Sequence, residues 1–563
     1  MRAVIQLQNL IGYARKSVTA AQGWQAALLA LIAGGLSALA FAPFFLSPTL
    51  LVTLPVLIWL TDDAATRESD GDRPRFAFDR VLVRRGAWCG WWYGFGIHIA
   101  GLYWIGNSFL VQADAFAWLL PFAMVILPAG LAVFHAAAIA VFAGVQGPPI
   151  FRVIALALAL GASEWLRGNI FTGFPWNVLG YALTQPIELM QFAGVVGIYG
   201  LTIITVLVFA APLAVLGGAA IPSEDKRLKS DIVSIFVSSI VPVLLMWITG
   251  TWMLNQPLPA DDNGTRLLVV QPSIAQRDKF DRNKWNSIFE AHIALTAKGL
   301  VKQASGASAT NIVFWPEAAM PFLAIRSPNV SARIADVLPE NTYLVAGLLR
   351  AEQSQNSANA LLRVFNSAVV FDAGGKAISI YDKFHLVPFG EYLPFQETLE
   401  AVGLEQLTRQ RGGFTSGTAS ARQRELPGLG QAVFLICYEV IFPDYSFEVG
   451  KRPKLLLNLT NDAWFGESTG PYQHFHQSRV RAVEQGLPLL RAANNGISGI
   501  VDAQGRLRSV SPINAVEVIS SSLPRPGPAT IYSLFGDRVA AAMFIILLLS
   551  TIIIGCRCRM LTD

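Results

Sequence analysis

Apolar runs of bilayer-spanning length recur along this chain and are interrupted by one long polar interval. With 53% hydrophobic and only 14% charged residues and a mean hydropathy of +0.45, the 563-residue chain is too apolar for an ordinary soluble protein. Runs of roughly 17 to 25 apolar residues have the length of a membrane span. They predict eight spans, at 24–41, 44–61, 87–106, 116–145, 151–166, 193–216, 232–253 and 537–556.

The distribution of Lys and Arg predicts how these spans are oriented. Cytoplasmic loops carry an excess of basic residues, and the alternate loops 42–49, 107–115 and 168–192 contain none. Both termini are therefore predicted to be cytoplasmic, and residues 254–536 to lie on the opposite side. The basic residues that decide this are Arg2, Arg15, Lys16, Arg67, Arg73, Arg75, Arg80, Arg84, Arg85, Arg152, Lys226, Arg227, Lys229, Arg557 and Arg559.

The interval 254–536 has the composition of a folded domain rather than a loop. Charges are frequent, and short β-rich runs alternate with helical patterns between Gly, Pro, Asn and Asp turns. At roughly 280 residues the interval can bury its own core, and the alternation predicts an α/β or α+β sandwich. Strands are predicted near 266–271, 311–317, 343–348, 364–371, 378–382, 432–438, 455–460 and 488–493, and helices near 285–303 and 472–485. The predicted domains are 1–253 with seven spans, 254–536, and 537–563 with the eighth span and a cytoplasmic tail.

Cys437 is the only cysteine between residues 90 and 555, and it ends an apolar, strand-like run. Glu317 and Lys383 end similar runs. A thiol nucleophile, a carboxylate that takes its proton and an ammonium that steadies an oxyanion together suit acyl transfer. A lone cysteine is, however, most often a buried structural residue, and charges at strand ends are often surface ion pairs. The three residues by themselves leave both interpretations open.

Four short strings occur in a fixed order around these residues, and a fifth lies in the outer loop after the fifth predicted span. Each string alone is weakly specific, but the ordered set, together with eight spans, resembles the apolipoprotein N-acyltransferases, the membrane-embedded branch of the nitrilase superfamily. The resemblance covers nearly the whole chain. The strings are Phe174-Pro175-Trp176-Asn177, Trp315-Pro316-Glu317, Asp382-Lys383 with His385-Leu386-Val387-Pro388-Phe389-Gly390-Glu391, Cys437-Tyr438-Glu439, and Asn461-Asp462-Ala463-Trp464-Phe465-Gly466.

The resemblance implies a multi-span helical membrane domain of eight helices joined to an α/β nitrilase-like α-β-β-α sandwich. It places the sandwich on the periplasmic face of a bacterial inner membrane. The implied reaction moves an acyl chain from a phospholipid, typically phosphatidylethanolamine, to the amino terminus of an S-diacylglyceryl-cysteine apolipoprotein. A thioester on the enzyme links the two half-reactions of this ping-pong cycle, which is the final step of lipoprotein maturation. No cofactor is expected.

The resemblance also implies roles for individual residues. Cys437 would be the nucleophile, Glu317 the general base and acid, and Lys383 the group that stabilises the oxyanion. Positioning or substrate-binding roles are expected for Asn366, Glu391, Tyr438, Glu439, Phe280 and Trp464. Phe280 stands where the family often has tryptophan, so an apolar acyl contact is kept while an N–H donor is lost. His385 is expected to be structural, because the motif already supplies a base.

Two other functions fit parts of the sequence. A membrane-anchored nitrilase-like amidase or hydrolase would use the same thiol, carboxylate and ammonium, with water instead of an amine resolving the thioester. A transporter would explain the spans, but ionisable residues inside them are few. The net charge of +5 suits contact with an anionic bilayer surface; nucleic-acid binding is not expected, since the basic residues follow membrane topology. No His, Cys and carboxylate spacing indicates a metal site.

The segment 391–410 follows the Lys383 motif and is apolar with few charges. Its periodicity is compatible with a helix packed on the domain core. Because a site that faces a bilayer needs a cover that parts for acyl chains and excludes water, its position predicts a mobile lid that dips into the outer leaflet. Its apolar residues are Leu393, Phe395, Leu399, Val402, Leu404 and Leu407.

Overall fold

Helices occupy the positions of all eight predicted spans in a computed structural model that describes residues 2–62, 80–145, 147–218, 231–301, 310–353, 362–401, 403–408, 412–443 and 451–560. The basic stretches 63–79 and 219–230 lie outside the described residues. The chain divides into two units. The first comprises Met1–Tyr103, Pro121–Gln256 and Thr530–Asp563, and the second comprises Trp104–Leu120 and Pro257–Ala529.

Among the described residues, five helices of the chain are long and apolar enough to cross a membrane: Gly23–Ala40, Ala113–Ala143, Pro149–Asn169, Ala193–Leu216 and Asp231–Asn255. Two shorter apolar helices, Ser47–Leu60 and Arg538–Ile553, coincide with further predicted spans. The helix Arg80–Gly101 covers the third predicted span, but it is rich in Gly and Trp rather than Leu and Ile. A membrane region of several apolar helices is therefore confirmed, whereas the count of eight spans stays a prediction.

Glycines allow two helices of the first unit to pack closely. The helix Gly23–Ser37 lies against Arg80–Gly101, and a Cβ added to Gly34 would stand 2.0 Å from the Tyr93 carbonyl oxygen. A Cβ on Gly96 would stand 2.2 Å from the Leu31 oxygen. Small residues at helix contacts are typical of membrane proteins, where close backbone approach supplies packing energy.

One buried carboxylate in the first unit pairs with two of the arginines from which the orientation of the spans is predicted. Asp62 pairs with Arg15 on one side and with Arg152 on the other, and all three side chains are buried. Arg152 also donates to the Thr61 hydroxyl at 3.0 Å. Charges removed from solvent require such pairing. The pairing brings together the N-terminal helix Arg2–Ala20, the end of the second predicted span and the start of the fifth.

The described residues of the second unit form two six-stranded sheets. The strands are β1 Asp262–Gln271, β2 Thr310–Phe314, β3 Thr342–Gln353, β4 Leu362–Phe371, β5 Ala377–Asp382, β6 Gln423–Leu426, β7 Gly430–Ile436, β8 Leu455–Thr460, β9 Leu489–Ala493, β10 Ser498–Val501, β11 Leu507–Ser511 and β12 Glu517–Leu523. The strand orders are β12-β1-β2-β3-β4-β5 and β11-β10-β9-β8-β7-β6. The inner pairs β1-β2, β2-β3, β7-β8 and β8-β9 are parallel, and the remaining pairs are antiparallel.

Alternate residues of the strands face two different cores. Leu267 and Val269 of β1 belong to the core between the sheets, with residues such as Phe434 of β7. Leu268 and Val270 belong instead to a second core, to which the helices Trp285–Val301 and Pro328–Val337 contribute. The helix Gly470–Gln485, buried almost throughout, packs against the other sheet. This period of two along a strand produces the helix-sheet-sheet-helix layering, so the expected α-β-β-α class is confirmed.

Candidate active site

Strand ends bring the three candidate catalytic residues into one buried place. Glu317 follows β2, Lys383 follows β5 directly, and Cys437 follows β7 directly. Gly347 of β3 lets the Glu317 loop lie close, because its N–H donates to the Pro316 oxygen at 3.2 Å and an added Cβ would stand 2.4 Å from that oxygen.

Cys437 begins a tight helical turn, Cys437–Ile441, in a strained conformation. Its φ is 52°, in the left-handed region that residues other than glycine rarely adopt. Such strain costs about 1 to 3 kcal/mol and persists where the surroundings enforce it, often at functional sites. The residue is only 8% exposed. The turn therefore presents a buried thiol from a backbone that the fold holds under strain.

A buried cluster of charged and amide groups lies beside the thiol. The Lys383 Nζ donates to the Glu391 Oε1 at 3.0 Å and to the Glu317 Oε1 at 3.4 Å. The Asn366 Nδ2 donates to the same two oxygens, at 2.7 Å for Glu317 and 2.9 Å for Glu391. All four residues are buried, each at most 6% exposed. Glu391 thus forms a second carboxylate partner for Lys383, and Asn366 fixes the spacing of the two carboxylates.

The charges of this cluster set the protonation of the thiol and the ammonium. Burial alone would lower the pKa of Lys383, but the carboxylates of Glu391 and Glu317 outweigh it and hold that pKa above its usual value. Burial and the charge of Glu317 raise the pKa of the Cys437 thiol well above its usual value, despite the nearby Lys383. At neutral pH the ammonium is therefore charged and the resting thiol is protonated. A base has to accept the thiol proton as the sulfur attacks.

Glu439 connects the turn that carries the thiol to the strand that carries the ammonium. Its Oε2 accepts from the Ile436 N–H at 2.7 Å. Its Oε1 accepts from the Tyr381 hydroxyl at 2.7 Å and from the N–H groups of Phe384 and His385, each at 3.0 Å. The side chain is fully buried. Glu439 therefore braces backbone on both sides of the site.

Tyr438 and His385 belong to an aromatic cluster. The His385 ring stacks on Phe442 with centroids 3.9 Å apart, and it meets the edge of Tyr438 at 5.8 Å. Tyr438 and Phe442 also meet edge to face, at 5.2 Å. This placement agrees with a structural role for His385.

The two remaining predicted aromatics lie together. Phe280 and Trp464 meet edge to face with ring centroids 6.2 Å apart, and both are half-buried. The pair is an apolar contact without a hydrogen bond from position 280. The candidates predicted from the sequence thus fall into three sets besides the thiol of Cys437. They are a polar cluster of Glu317, Lys383, Asn366 and Glu391, the carboxylate of Glu439, and two groups of aromatic residues.

Sequence reasoning missed Lys279, which immediately precedes Phe280. Its side chain is 4% exposed, and its Nζ donates to the backbone oxygen of Glu317 at 3.2 Å. Burial lowers the pKa of Lys279 to about 7, although the charge of Glu317 opposes this. The lysine lies in the Arg277-Asp278-Lys279-Phe280 string, where only the aromatic residue was assigned a role from the sequence.

A second missed feature is the segment Trp104–Leu120, which belongs to the second unit. The Asn107 Nδ2 donates to the Phe465 oxygen at 2.7 Å, and the Ser108 hydroxyl donates to the Trp464 oxygen at 3.0 Å. The Trp104 ring meets Phe465 at 4.4 Å. The segment therefore holds the loop that carries Trp464. Its residues match no motif and lie far away in sequence, so only the fold reveals the contact.

The described residues contain no group of three or more His, Cys, Asp or Glu side chains that could hold a metal ion. The site's chemistry can be derived from a thiol, two carboxylates, an ammonium and amide groups. These groups suit nucleophilic acyl transfer with general acid-base catalysis.

Two family profiles match the chain. Residues 33–211 match the apolipoprotein N-acyltransferase N-terminal domain, and residues 269–526 match the carbon-nitrogen hydrolase family. The second match contains all nine candidate site residues. The yeast Saccharomyces cerevisiae Nit3, a solved member of the nitrilase superfamily, is similar at 16% identity with a TM-score of 0.35, over 50% of this chain and 95% of that chain.

Several apolipoprotein N-acyltransferases are similar to this chain over almost their full length. The apolipoprotein N-acyltransferase of Rhodopseudomonas palustris is 41% identical over 523 residues, covering 93% of this chain and 94% of the relative. The enzyme of the same name from Bradyrhizobium diazoefficiens is 40% identical, with coverages of 92% and 93%. That from Brucella melitensis is 41% identical, with coverages of 90% and 91%. With this identity over both the helical region and the sandwich, the chain belongs to the apolipoprotein N-acyltransferase family.

Proposed function

We propose that this protein transfers an acyl chain from a phospholipid, with phosphatidylethanolamine as the expected donor, to the amino group of an N-terminal S-diacylglyceryl cysteine in an apolipoprotein. This is the final step of bacterial lipoprotein maturation. The observation that carries the proposal is the buried Glu317-Lys383-Glu391-Asn366 cluster beside the strained Cys437, in a chain of this family.

In the first half-reaction the Cys437 sulfur attacks the ester carbonyl of the phospholipid. Its proton passes to the Glu317 carboxylate, and the Lys383 ammonium stabilises the oxyanion of the tetrahedral intermediate. When the intermediate collapses, the C–O bond breaks and Glu317 returns the proton to the departing lysophospholipid oxygen. The acyl chain remains on Cys437 as a thioester.

In the second half-reaction the α-amino group of the apolipoprotein attacks the thioester. Glu317 accepts a proton from the amine, Lys383 again stabilises the oxyanion, and the C–S bond breaks. The thiolate that leaves recovers the proton from Glu317. An amide is formed and the enzyme returns to its starting state, so atoms and charges balance without a cofactor.

The other site residues support these steps. Glu391 and Asn366 hold Lys383 and Glu317 at a fixed spacing through hydrogen bonds of 2.7 to 3.0 Å. Glu439 holds the backbone before Cys437 and the backbone after Lys383. The pair Phe280 and Trp464 offers an apolar surface to the acyl chain, and Tyr438 lies next to the nucleophile. Preorganised groups of this kind lower the barrier because they need no rearrangement during the reaction.

The proposed location is the bacterial inner membrane, with several passes, a periplasmic catalytic domain and both termini in the cytoplasm. The proposed domains are 1–253, 254–536 and 537–563. The apolar helices support a membrane location. The shared pairing of Arg15 and Arg152 with Asp62 supports the placement of their three segments on one side.

The acceptor dependence of lysophospholipid release tests the proposed function. Purified full-length protein, first deacylated with neutral hydroxylamine, should release about one lysophospholipid per enzyme in phospholipid-detergent micelles without acceptor, the stoichiometry of a covalent intermediate. Release should become continuous when a diacylglyceryl-cysteine peptide is added. The Cys437→Ala variant is the matched control and should release none. Continuous release without an amine acceptor would instead identify a membrane-anchored hydrolase.

A further inference from the structure

A second buried polar network adjoins Cys437, and the proposed reaction steps do not use it. It comprises Asn458 and Thr460 of β8, Asp462 just after β8, His474 of the helix Gly470–Gln485, and Arg491 of β9. Each of these side chains is at most 1% exposed. Burying so many polar groups is costly unless all are bonded, so the network calls for an explanation.

Two members of the network donate to the backbone of the nucleophile. The His474 Nε2 lies 3.3 Å from the Cys437 carbonyl oxygen, and the Asn458 Nδ2 lies 3.4 Å from it. The Asn458 Nδ2 also donates to the Leu435 oxygen at 3.1 Å. A carbonyl oxygen only accepts hydrogen bonds, so the His474 Nε2 has to carry a hydrogen.

Arg491 and Asp462 fix the orientation of the His474 ring. The Arg491 Nη2 lies 2.7 Å from the Asp462 Oδ2 and 3.0 Å from the His474 Nδ1. The Asp462 Oδ1 accepts from the Thr460 hydroxyl at 3.0 Å. The same oxygen lies 3.0 Å from the His474 Nδ1. Burial and the charge of Arg491 lower the pKa of His474, although Asp462 opposes this. In the neutral ring with its hydrogen on Nε2, Nε2 donates to the Cys437 carbonyl and Nδ1 accepts from Arg491. The Asp462 carboxylate then accepts from Arg491 and Thr460 rather than from the ring, so Asp462 orients the ring through Arg491.

The position of the Cys437 carbonyl matters because the residue has a φ of 52°. A strained backbone reverts to an ordinary conformation unless neighbouring groups hold it. Rotation of this peptide would swing the sulfur away from Glu317 and Lys383, and a displacement of about 1 Å can cost about 10²-fold in rate. The two donors from His474 and Asn458 oppose that rotation.

We infer that His474 is a positioning residue for the acyl transfer, whose Nε2–H holds the carbonyl of Cys437 and so keeps the thiol aimed at Glu317 and Lys383. This rests on the proposed function only for the identity of the substrate. Holding the thiol in place should equally govern its reaction with a small alkylating reagent.

Two substitutions divide the bonds of His474. His474→Gln can place an amide N–H near the former Nε2, which keeps a donor to Cys437. His474→Asn can place its oxygen near the former Nδ1, which keeps the contact with Arg491 but cannot reach the Cys437 carbonyl. The matched control is His476→Gln on the same helix, which replaces another buried histidine.

The experiment compares these variants of the full-length protein, each first treated with neutral hydroxylamine to free the Cys437 thiol, by three measurements. They are the single-turnover rate of acyl-enzyme formation with phosphatidylethanolamine, the rate of Cys437 alkylation by iodoacetamide, and the melting temperature. His474→Asn should slow acyl-enzyme formation by about 10²-fold, with slower alkylation and an unchanged KM for lipid. His474→Gln should lose less than about tenfold, and His476→Gln should react as the parent does.

Equal losses in His474→Asn and His474→Gln, or rates that follow melting temperature alone, would overturn the inference. If His474→Asn does not fold, Asn458→Asp gives the second test, since it removes the other donor to Cys437 but keeps an oxygen for Arg491. It should slow both reactions; normal rates would count against a held carbonyl. Because alkylation needs no lipid, it tests the inference even where the parent forms no acyl-enzyme, a result that would count only against the proposed function.

Discussion

The protonation of the Cys437 thiol determines what Glu317 has to do. Burial and the charge of Glu317 raise the pKa of the thiol, so the sulfur does not rest as a thiolate at neutral pH. Lys383, with its raised pKa, stays charged throughout the cycle. In the proposed mechanism Glu317 therefore acts as a base during attack, and the Lys383 ammonium would be available for the oxyanion at each tetrahedral intermediate.

Replacing Lys383 with Ala should slow thioester formation by about 10²-fold or more, the usual effect of losing one preorganised oxyanion donor. The measurement is the single-turnover rate of acyl-enzyme formation. Lys383→Arg, which keeps the charge, separates this effect from repulsion between the unpaired carboxylates of Glu317 and Glu391. Normal acyl-enzyme formation in Lys383→Ala, with only the transfer to amine lost, would assign the lysine a different role.

Lys279 should make stability depend on pH. Its pKa is about 7 in the folded protein, compared with an ordinary value of 10.5. Below pH 7 the folded protein carries the full cost of a buried ammonium; between pH 7 and 10.5 the unfolded chain binds the extra proton, so stability rises with pH. Lys279→Met should therefore raise the melting temperature at pH 6, with a gain that shrinks towards pH 10.

The control for this prediction is Lys284→Met. Lys284 is exposed and pairs with Asp278 at 2.8 Å, so its removal should have only a small effect on stability. A gain for Lys279→Met that stayed constant from pH 6 to pH 10 would contradict the lowered pKa.

The sequence predicts β1 to β5 and β7 to β9, which include every described strand with a parallel neighbour. β1, β2, β7, β8 and β9 contain apolar runs that are buried, such as Leu267–Val270 of β1 and Ala432–Ile436 of β7, as expected for parallel strands covered on both faces. The sequence missed β6, β10, β11 and β12, which are short or rich in polar residues, such as Leu507–Ser511 and Glu517–Leu523. Their pairing depends on neighbours that are distant in sequence, which local patterns do not record.

The residues of the candidate site likewise fall into those that the sequence predicts and those that only the fold reveals. Glu317, Lys383 and Cys437 could be found because each follows an apolar run in a recognisable string. The sequence does not predict Lys279, His474 or the segment Trp104–Leu120. Their importance comes from contacts with Glu317, Cys437 and Phe465 that only the folded chain makes.

The segment 391–410 combines an exposed aromatic with buried neighbours. Phe395 is 84% exposed and Leu393 is 4% exposed, and a short helix, Gln396–Ala401, follows. Val402 and residues 409–410 lie outside the described residues. An exposed phenylalanine suits a cover that meets lipid, so the lid stays a prediction, with Phe395 as the residue that would contact the membrane.

Replacing Phe395 and Leu399 with Ser should reduce turnover of phospholipid more than hydrolysis of a short soluble thioester, while melting changes little. Leu393→Ser is the matched control, because removing a buried leucine lowers stability by about 2 to 5 kcal/mol. Parallel loss of both activities together with stability in the double variant would mark Phe395 and Leu399 as core residues, against a lid.

The whole chain is an apolar helical region joined to a four-layered catalytic unit. The orientation of the helical region rests on its basic residues. A cysteine added to the loop 62–86, or to the tail after Arg557, should resist an impermeant maleimide in spheroplasts, whereas a cysteine added to the exposed surface of 254–536 should react. Labelling of the 62–86 loop from outside would reverse the orientation.

The covalent intermediate tests the proposed mechanism most directly. Protein purified from membranes should carry a fatty-acyl mass on the peptide that contains Cys437, and neutral hydroxylamine should remove it, as expected of a thioester. Cys437→Ala should show neither the mass nor any turnover, and Cys437→Ser should keep at most a trace of activity, because an unactivated hydroxyl is a far poorer nucleophile. Near-normal acyl transfer by a well-folded Cys437→Ala, or an acyl group attached to a different residue, would contradict the mechanism.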